Sequence, residues 1–228
     1  MSIIIRLTGQ GVHMVTGVQL RRMAVNEEID YLFLKNALKD YISPRSKITS
    51  LLKQKTILRI KKGLYIFGKE YALHPYVKES LANLIYGPSY VSLEYALAFY
   101  GFIPEWVEIL TSVTNKKDKR FSTPVGMFTY RYLHPKKYPI GVTQIFYDAT
   151  HPILIATPEK ALADKMLLET SHLNLTTEKE LKTFLFDDLR IPLHKIKELD
   201  VRLFNQIAEL YQNKNISRLN QFLKKRKK

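Results

Sequence analysis

The chain has 228 residues, 46% of them hydrophobic, which is enough for one large domain or a small one joined to a larger one. Its 36 Lys and Arg outnumber 21 Asp and Glu, and the net charge of +15 points to a polyanionic partner, nucleic acid or an anionic membrane surface. The absence of cysteine excludes disulfides, thiolate metal sites and a Cys nucleophile and fits a reducing cytoplasm; no run of about 18 apolar residues is present to span a bilayer.

Residues 1–25 read as a leader of uncertain structure. The stretch is apolar but broken by Arg6, Gly9, Gln10, Gly11 and His13, so it lacks the unbroken apolar segment of a signal peptide. Met14 and Met23 are alternative start positions.

Residues 26–70 read as a winged helix-turn-helix. A short supporting helix is expected over 33–40, joined by a turn to a second helix that Ser43 and Pro44 open. On that helix Ile48, Leu51 and Leu52 share one apolar stripe, while Arg45, Ser46, Thr49, Ser50 and Lys53 fall on the other side. Cations that reach phosphates or guanine edges, beside small hydroxyls that permit close approach, suit a helix lying in a major groove, and adjacent Lys47 joins the candidate set. Next comes a hairpin, 56–60 and 64–67, around the basic turn Lys61-Lys62-Gly63. Helix, turn, helix, basic hairpin is the chain order of a winged helix. Arg59, Lys61 and Lys62 are expected to hold phosphates. From 41 to 69 there are eight basic side chains and no acid.

Residues 71–223 read as an α+β domain with a small sheet followed by C-terminal helices. Pro75 is expected to begin a helix that Gly87 and Pro88 end. Ser92 is expected to cap a helix that Gly101 terminates. Strands are expected over 107–113, 128–133, 142–147 and 152–156. Thr157-Pro158-Glu159 is a strong helix start, and Thr177 with Glu180 reads as a capping box. A second basic stretch, with Lys116, Lys117, Lys119, Arg120 and Arg131, reads as a hairpin loop and strand that adds phosphate contacts, receives an acidic partner or is simply solvated. The basic tail, 224–228, is expected to be disordered.

Enzyme signatures are sparse. The six histidines show no metal-ligand spacing, and there is no phosphate-cradling Gly loop or nucleophile elbow, so neither a metal nor another cofactor is expected. Asp148, Glu159, Lys160 and Asp164 surround one strand-to-helix turn, and a metal-dependent nuclease uses such groups. However, Glu159 and Lys160 diverge by about 100° on a helix. Glu159 is read as a first-turn acid and Asp164 as a surface partner of Lys160. The reading is therefore not an enzyme. The alternatives are a metal-dependent nucleic-acid enzyme and a basic interaction protein without DNA specificity.

Several separated motifs resemble one family. They are Ser89-Tyr90-Val91-Ser92-Leu93-Glu94-Tyr95-Ala96-Leu97-Ala98-Phe99-Tyr100-Gly101 with Ile103-Pro104-Glu105, then Thr111-Ser112-Val113-Thr114, and Ala156-Thr157-Pro158-Glu159-Lys160-Ala161-Leu162-Ala163-Asp164. With Lys62-Gly63-Leu64-Tyr65 in the wing, they make residues 30–170 similar to the AbiEi family of abortive-infection antitoxins. The resemblance implies an antitoxin and transcriptional autorepressor that binds inverted repeats in double-stranded DNA at its own promoter. It also implies a functionally paired nucleotidyltransferase toxin, opposed in the best-known cases without a stable toxin–antitoxin complex, a direct complex being left open. It carries over no catalytic set, and the residues around Ser92 and Pro158 are read as helix caps and core. The apolar leader and the short first half of the helix-turn-helix depart from the family pattern.

Overall fold

Thr16 opens the first helix, α1 (Gly17–Met23), with a capping box: its hydroxyl accepts from the Gln19 N–H at 3.2 Å, and the Gln19 carboxamide accepts from the Thr16 N–H at 2.9 Å. The structure, a computed structural model, describes residues 15–170, 172–173 and 175–226. It divides into two units, Met1–Tyr76 and Val77–Lys228, so the boundary falls six residues after the expected 70/71. Both units mix helices and strands. The first 14 residues of the expected leader lie outside the described residues. The rest of it does not behave as a loose segment, because Leu20 of α1 is fully buried in the core of the first unit.

In that unit α1 is followed by β1 (Glu28–Asp30), α2 (Tyr31–Ala37), α3 (Pro44–Lys53), β2 (Ile57–Lys61) and β3 (Leu64–Phe67). The strands form an antiparallel sheet in the order β1-β3-β2. Leu34, Leu38, Ile48, Leu51, Ile57 and Tyr65 pack with Leu20 to form the core. The expected stripe of α3 is the one that packs: Ile48 and Leu51 are buried and Leu52 is half-buried. β1 has three residues and α1 seven, too few to show the periodicity that sequence reading relies on. Gly63 turns the hairpin at φ +87°, a left-handed conformation that glycine adopts without cost.

Arg21 and Glu27 tie this unit together. Their ion pair is 2.7 Å long and almost wholly buried. Arg21 also donates to the Ala24 carbonyl at 2.9 Å, and the same Glu27 oxygen accepts from the Leu73 and His74 N–H groups at 3.0 and 2.9 Å. One carboxylate thus links the helix at the start of the unit to the segment at its end.

The second unit contains α4 (Lys78–Ile85), β4 (Ser89–Val91), α5 (Leu93–Phe99), β5 (Leu110–Thr114), β6 (Lys119–Thr123), β7 (Gly126–Tyr132), a 3-10 turn (Pro135–Lys137), β8 (Val142–Phe146) and β9 (Pro152–Ala156). The helices α6 (Pro158–Leu168), α7 (Glu178–Lys182), a π-helical turn (Thr183–Asp188), α8 (Leu193–Glu198), α9 (Val201–Tyr211) and α10 (Lys214–Arg226) follow. The helix expected from Pro75 begins at Lys78, and the strand expected from residue 107 begins at Leu110.

The sheet has six strands in the order β6-β7-β5-β4-β9-β8, larger than the small sheet expected. The β4–β9 and β5–β7 pairs are parallel and the others antiparallel. Two strands absent from the expectation, β4 and β6, supply the centre and one edge. β4 has only three residues, too few to show a period, but all three are buried. Thr157 caps α6 and the Thr177–Glu180 box opens α7, both as expected. In contrast to the disordered tail expected, Lys224 and Lys225 continue α10 with their side chains exposed; the last two residues lie outside the described part. Among the described residues no helix is long and apolar enough to cross a membrane.

Candidate nucleic-acid interface

Pro44 at the first helical position pre-sets φ and starts α3 without a side-chain cap. The Ser43 hydroxyl is instead 2.8 Å from that of Ser46. With Ile48 and Leu51 turned inward, Arg45, Ser46, Thr49 and Lys53 are exposed, and Lys47 and Ser50 are half-buried. The polar side chains are not equally available. Thr49 donates its hydroxyl hydrogen to the Arg45 carbonyl at 3.0 Å, leaving its oxygen as an acceptor. The Lys47 ammonium lies 5.4 Å from the Tyr41 ring centre, a cation–π contact that holds the side chain beside the α2–α3 turn. Arg45 and Lys53 carry the exposed charge of the face.

The β2–β3 hairpin continues this basic surface. Arg59 and Lys62 are exposed and Lys61 is half-buried. Among the described residues no carboxylate pairs with Arg45, Lys53, Arg59 or Lys62. Sequence reasoning passed over Lys55, exposed at φ +56° just beyond α3. Its signal was present, since it belongs to the acid-free run, but it falls outside both helix and hairpin.

The second basic stretch is divided by its partners. Arg131 pairs with Asp118 at 3.3 Å and Glu169 at 3.8 Å and donates to the Leu168 carbonyl at 3.2 Å. Its charge is thereby compensated, which sets it apart from the other residues of that stretch. Lys116 donates to the Gly87 carbonyl at 2.6 Å, and Lys119 lies 5.2 Å from the Tyr86 ring and 5.3 Å from that of Phe121. Lys117 and Arg120 are exposed. Arg131 also lines an open groove of about 900 Å³, shared with Glu108, Asp188 and the 93%-exposed Trp106.

The four residues of the nuclease alternative do not form an open site. Lys160 and Asp164 are fully buried, against the expectation of a surface pair. Asp164 accepts from Ser92 at 2.7 Å and Tyr90 at 2.9 Å on one oxygen, and from Tyr211 on the other. Lys160 donates to the Lys137 carbonyl at 2.7 Å and to the Tyr211 hydroxyl. Burial pulls the Lys160 pKa below that of an ordinary lysine, with Asp164 opposing the shift. Burial and Asp164 push the Tyr211 and Tyr90 hydroxyls well above the usual tyrosine range. Ser92 therefore spends its hydroxyl on Asp164 and makes no side-chain cap, although it occupies the cap position of α5. The Glu159 carboxylate accepts from the Asp200 N–H at 2.7 Å, an anchor for α9 as well as a first-turn acid. Asp148 is exposed and bound to His151 at 2.8 Å. Among the described residues no three His, Asp or Glu side chains gather as a metal site.

No protein-family model and no curated protein matches this chain.

Proposed function

We propose that the first unit is a winged helix that binds double-stranded DNA, with α3 in the major groove and the β2–β3 hairpin along the backbone. The observation that carries this reading is the exposed, acid-free series Arg45, Lys53, Arg59 and Lys62, none of which has a carboxylate partner among the described residues. Unpaired surface cations can turn to phosphates without breaking an ion pair, and their neutralisation of the backbone releases counterions. The element order α1, β1, α2, α3, β2, β3 and the antiparallel β1-β3-β2 sheet support the same reading.

The resemblance to the AbiEi antitoxins extends it. In this proposal the protein is an antitoxin and autorepressor that binds inverted repeats upstream of its own operon, and the second unit opposes a nucleotidyltransferase toxin. It acts by binding, without a catalytic step or a cofactor.

The test is binding of the full chain to its own upstream DNA and to scrambled DNA of equal length across a salt series. A preference of about a hundredfold or more for the upstream sequence is expected. Equal, steeply salt-dependent affinity for both would reduce the interaction to charge alone and overturn the repressor reading.

A further inference from the structure

The two edges of the six-stranded sheet differ in charge. β6 carries exposed Lys119 and Arg120, side chains of the kind that guard a sheet edge against pairing with another chain. β8 carries no charged residue, and neither does any position from 138 to 147. Among the described residues no strand pairs with the outer side of β8.

Part of the backbone of that edge is also aimed outward, while the Val142 N–H donates to the Pro139 carbonyl at 3.4 Å. The Thr157 N–H donates to the Gly141 carbonyl at 2.8 Å, and the Tyr147 N–H donates to the His151 carbonyl at 3.0 Å. These bonds direct the odd-numbered residues of the strand toward β9. Because the bonding direction alternates along an antiparallel strand, the N–H and C=O groups of Gln144 and Phe146 face away from it. On one face of the ribbon Gln144 lies opposite Leu154 and Phe146 opposite Pro152, and all four are exposed. Phe146 is 64% and the following Tyr147 65% exposed.

We propose that β8 pairs with β8 of a second copy of this chain, antiparallel about a two-fold axis at Gln144. Such pairing sets Gln144 against Gln144 and Val142 against Phe146, a β-branched and aromatic cross-strand pair. It brings no like charges into register, although each copy carries a net charge of +15. The symmetry closes the assembly at two, since pairing consumes the unguarded edge of each copy and leaves the charged β6 edges outermost. The pairing stands apart from the DNA-binding reading and does not depend on it.

The absence of cysteine makes the test direct. Gln144→Cys places one thiol per chain across the axis. Residues opposed in a hydrogen-bonded antiparallel pair have Cα atoms about 5.5 Å apart, within disulfide range. Mild oxidation should convert most of this variant to a covalent dimer, while Ser122→Cys on the β6 edge stays monomeric. Equal cross-linking of the two variants, or none in either, overturns the proposal.

Sedimentation of the uncross-linked chain at about 100 μM, where weak contacts are populated, is the second readout. The unaltered protein should have about twice the 26.6 kDa chain mass, and Phe146→Lys the mass of one chain with an unchanged melting temperature. A monomeric unaltered protein, or a dimer that Phe146→Lys leaves intact, also overturns it.

Discussion

Lys160 and Asp164, one turn apart on α6, face each other at 3.5 Å with both side chains fully buried. A charge so placed is tolerable only when paired and hydrogen-bonded. Here Tyr90, Ser92, Tyr211 and the Lys137 carbonyl complete the set. Asp164→Ala strands the lysine and should cost about 3–5 kcal/mol of stability. Tyr211→Phe removes one hydroxyl and should cost about 1–3 kcal/mol. Urea unfolding measures both, and a loss below about 0.5 kcal/mol for Asp164→Ala would mean that the network contributes little.

Glu27 should be as sensitive in the first unit. Glu27→Ala leaves the Arg21 guanidinium and two backbone N–H groups without their acceptor. A loss of about 3–5 kcal/mol is expected, read as an earlier thermal transition. A variant lacking residues 1–22 should show a similar loss, since it removes Arg21 and the buried Leu20. If that truncation melts with the full chain, α1 is a dispensable ornament.

For DNA, the two parts of the interface should separate. Arg45→Ala should lose about 1–3 kcal/mol on the upstream site and much less on random DNA, the signature of a base contact. Lys62→Ala should weaken both DNAs alike and lower the salt slope by about one unit. Indistinguishable behaviour of the two variants would remove the assignment of α3 to the groove and the hairpin to the backbone.

The hairpin depends on close backbone approach as well as charge. A Cβ at Gly68 would overlap the Lys55 carbonyl oxygen, a backbone atom that cannot swing away. Gly68→Ala should therefore destabilise the first unit by at least about 1 kcal/mol. Gly63→Ala places a side chain at φ +87° and should cost roughly 1 kcal/mol through strain. Its surroundings are open, so folding should survive, and DNA binding by this variant isolates the effect of hairpin shape.

Asp148 gives a pH signature. The Thr150 N–H and then His151 hold its carboxyl at about 2, below the ordinary 3.8. A depressed carboxyl contributes its stability above the unfolded value, and loses it as pH falls from about 4 toward 2. NMR titration of the carboxyl carbon should show the low midpoint. Asp148→Asn should remove that part of the acid dependence of the β8–β9 turn; an ordinary midpoint in the unaltered protein would contradict the bonding described.

Much of the fold is legible wherever structure is local. Thr157-Pro158 and the Thr177–Glu180 box begin their helices as read, because a cap and its partners lie within four residues. β9 matches its expected limits because Ile153 and Ile155 are buried while Pro152 before them and Leu154 between them are exposed, a period of two. The apolar stripe of α3, and with it the outward direction of Arg45 and Lys53, likewise followed from a period of 3.6 residues. The distribution of charge along the chain is also a property of the sequence.

Burial and pairing were decided by the tertiary structure. Asp164 reads as the surface partner of Lys160 because four residues on one helix suffice for that inference, yet its other partners lie 47 to 74 residues away. Arg131 reads as one of a basic series until Glu169 comes within 3.8 Å, and Leu20 reads as part of a leader until it joins the core of the first unit. Local sequence specifies the capped helix starts at Thr157 and Thr177, the apolar face of α3 and where positive charge collects, since each depends on neighbours in the chain. Which charges stay exposed, which are neutralised and which strand is left at an edge depend on contacts between distant segments, and only the folded chain brings those together.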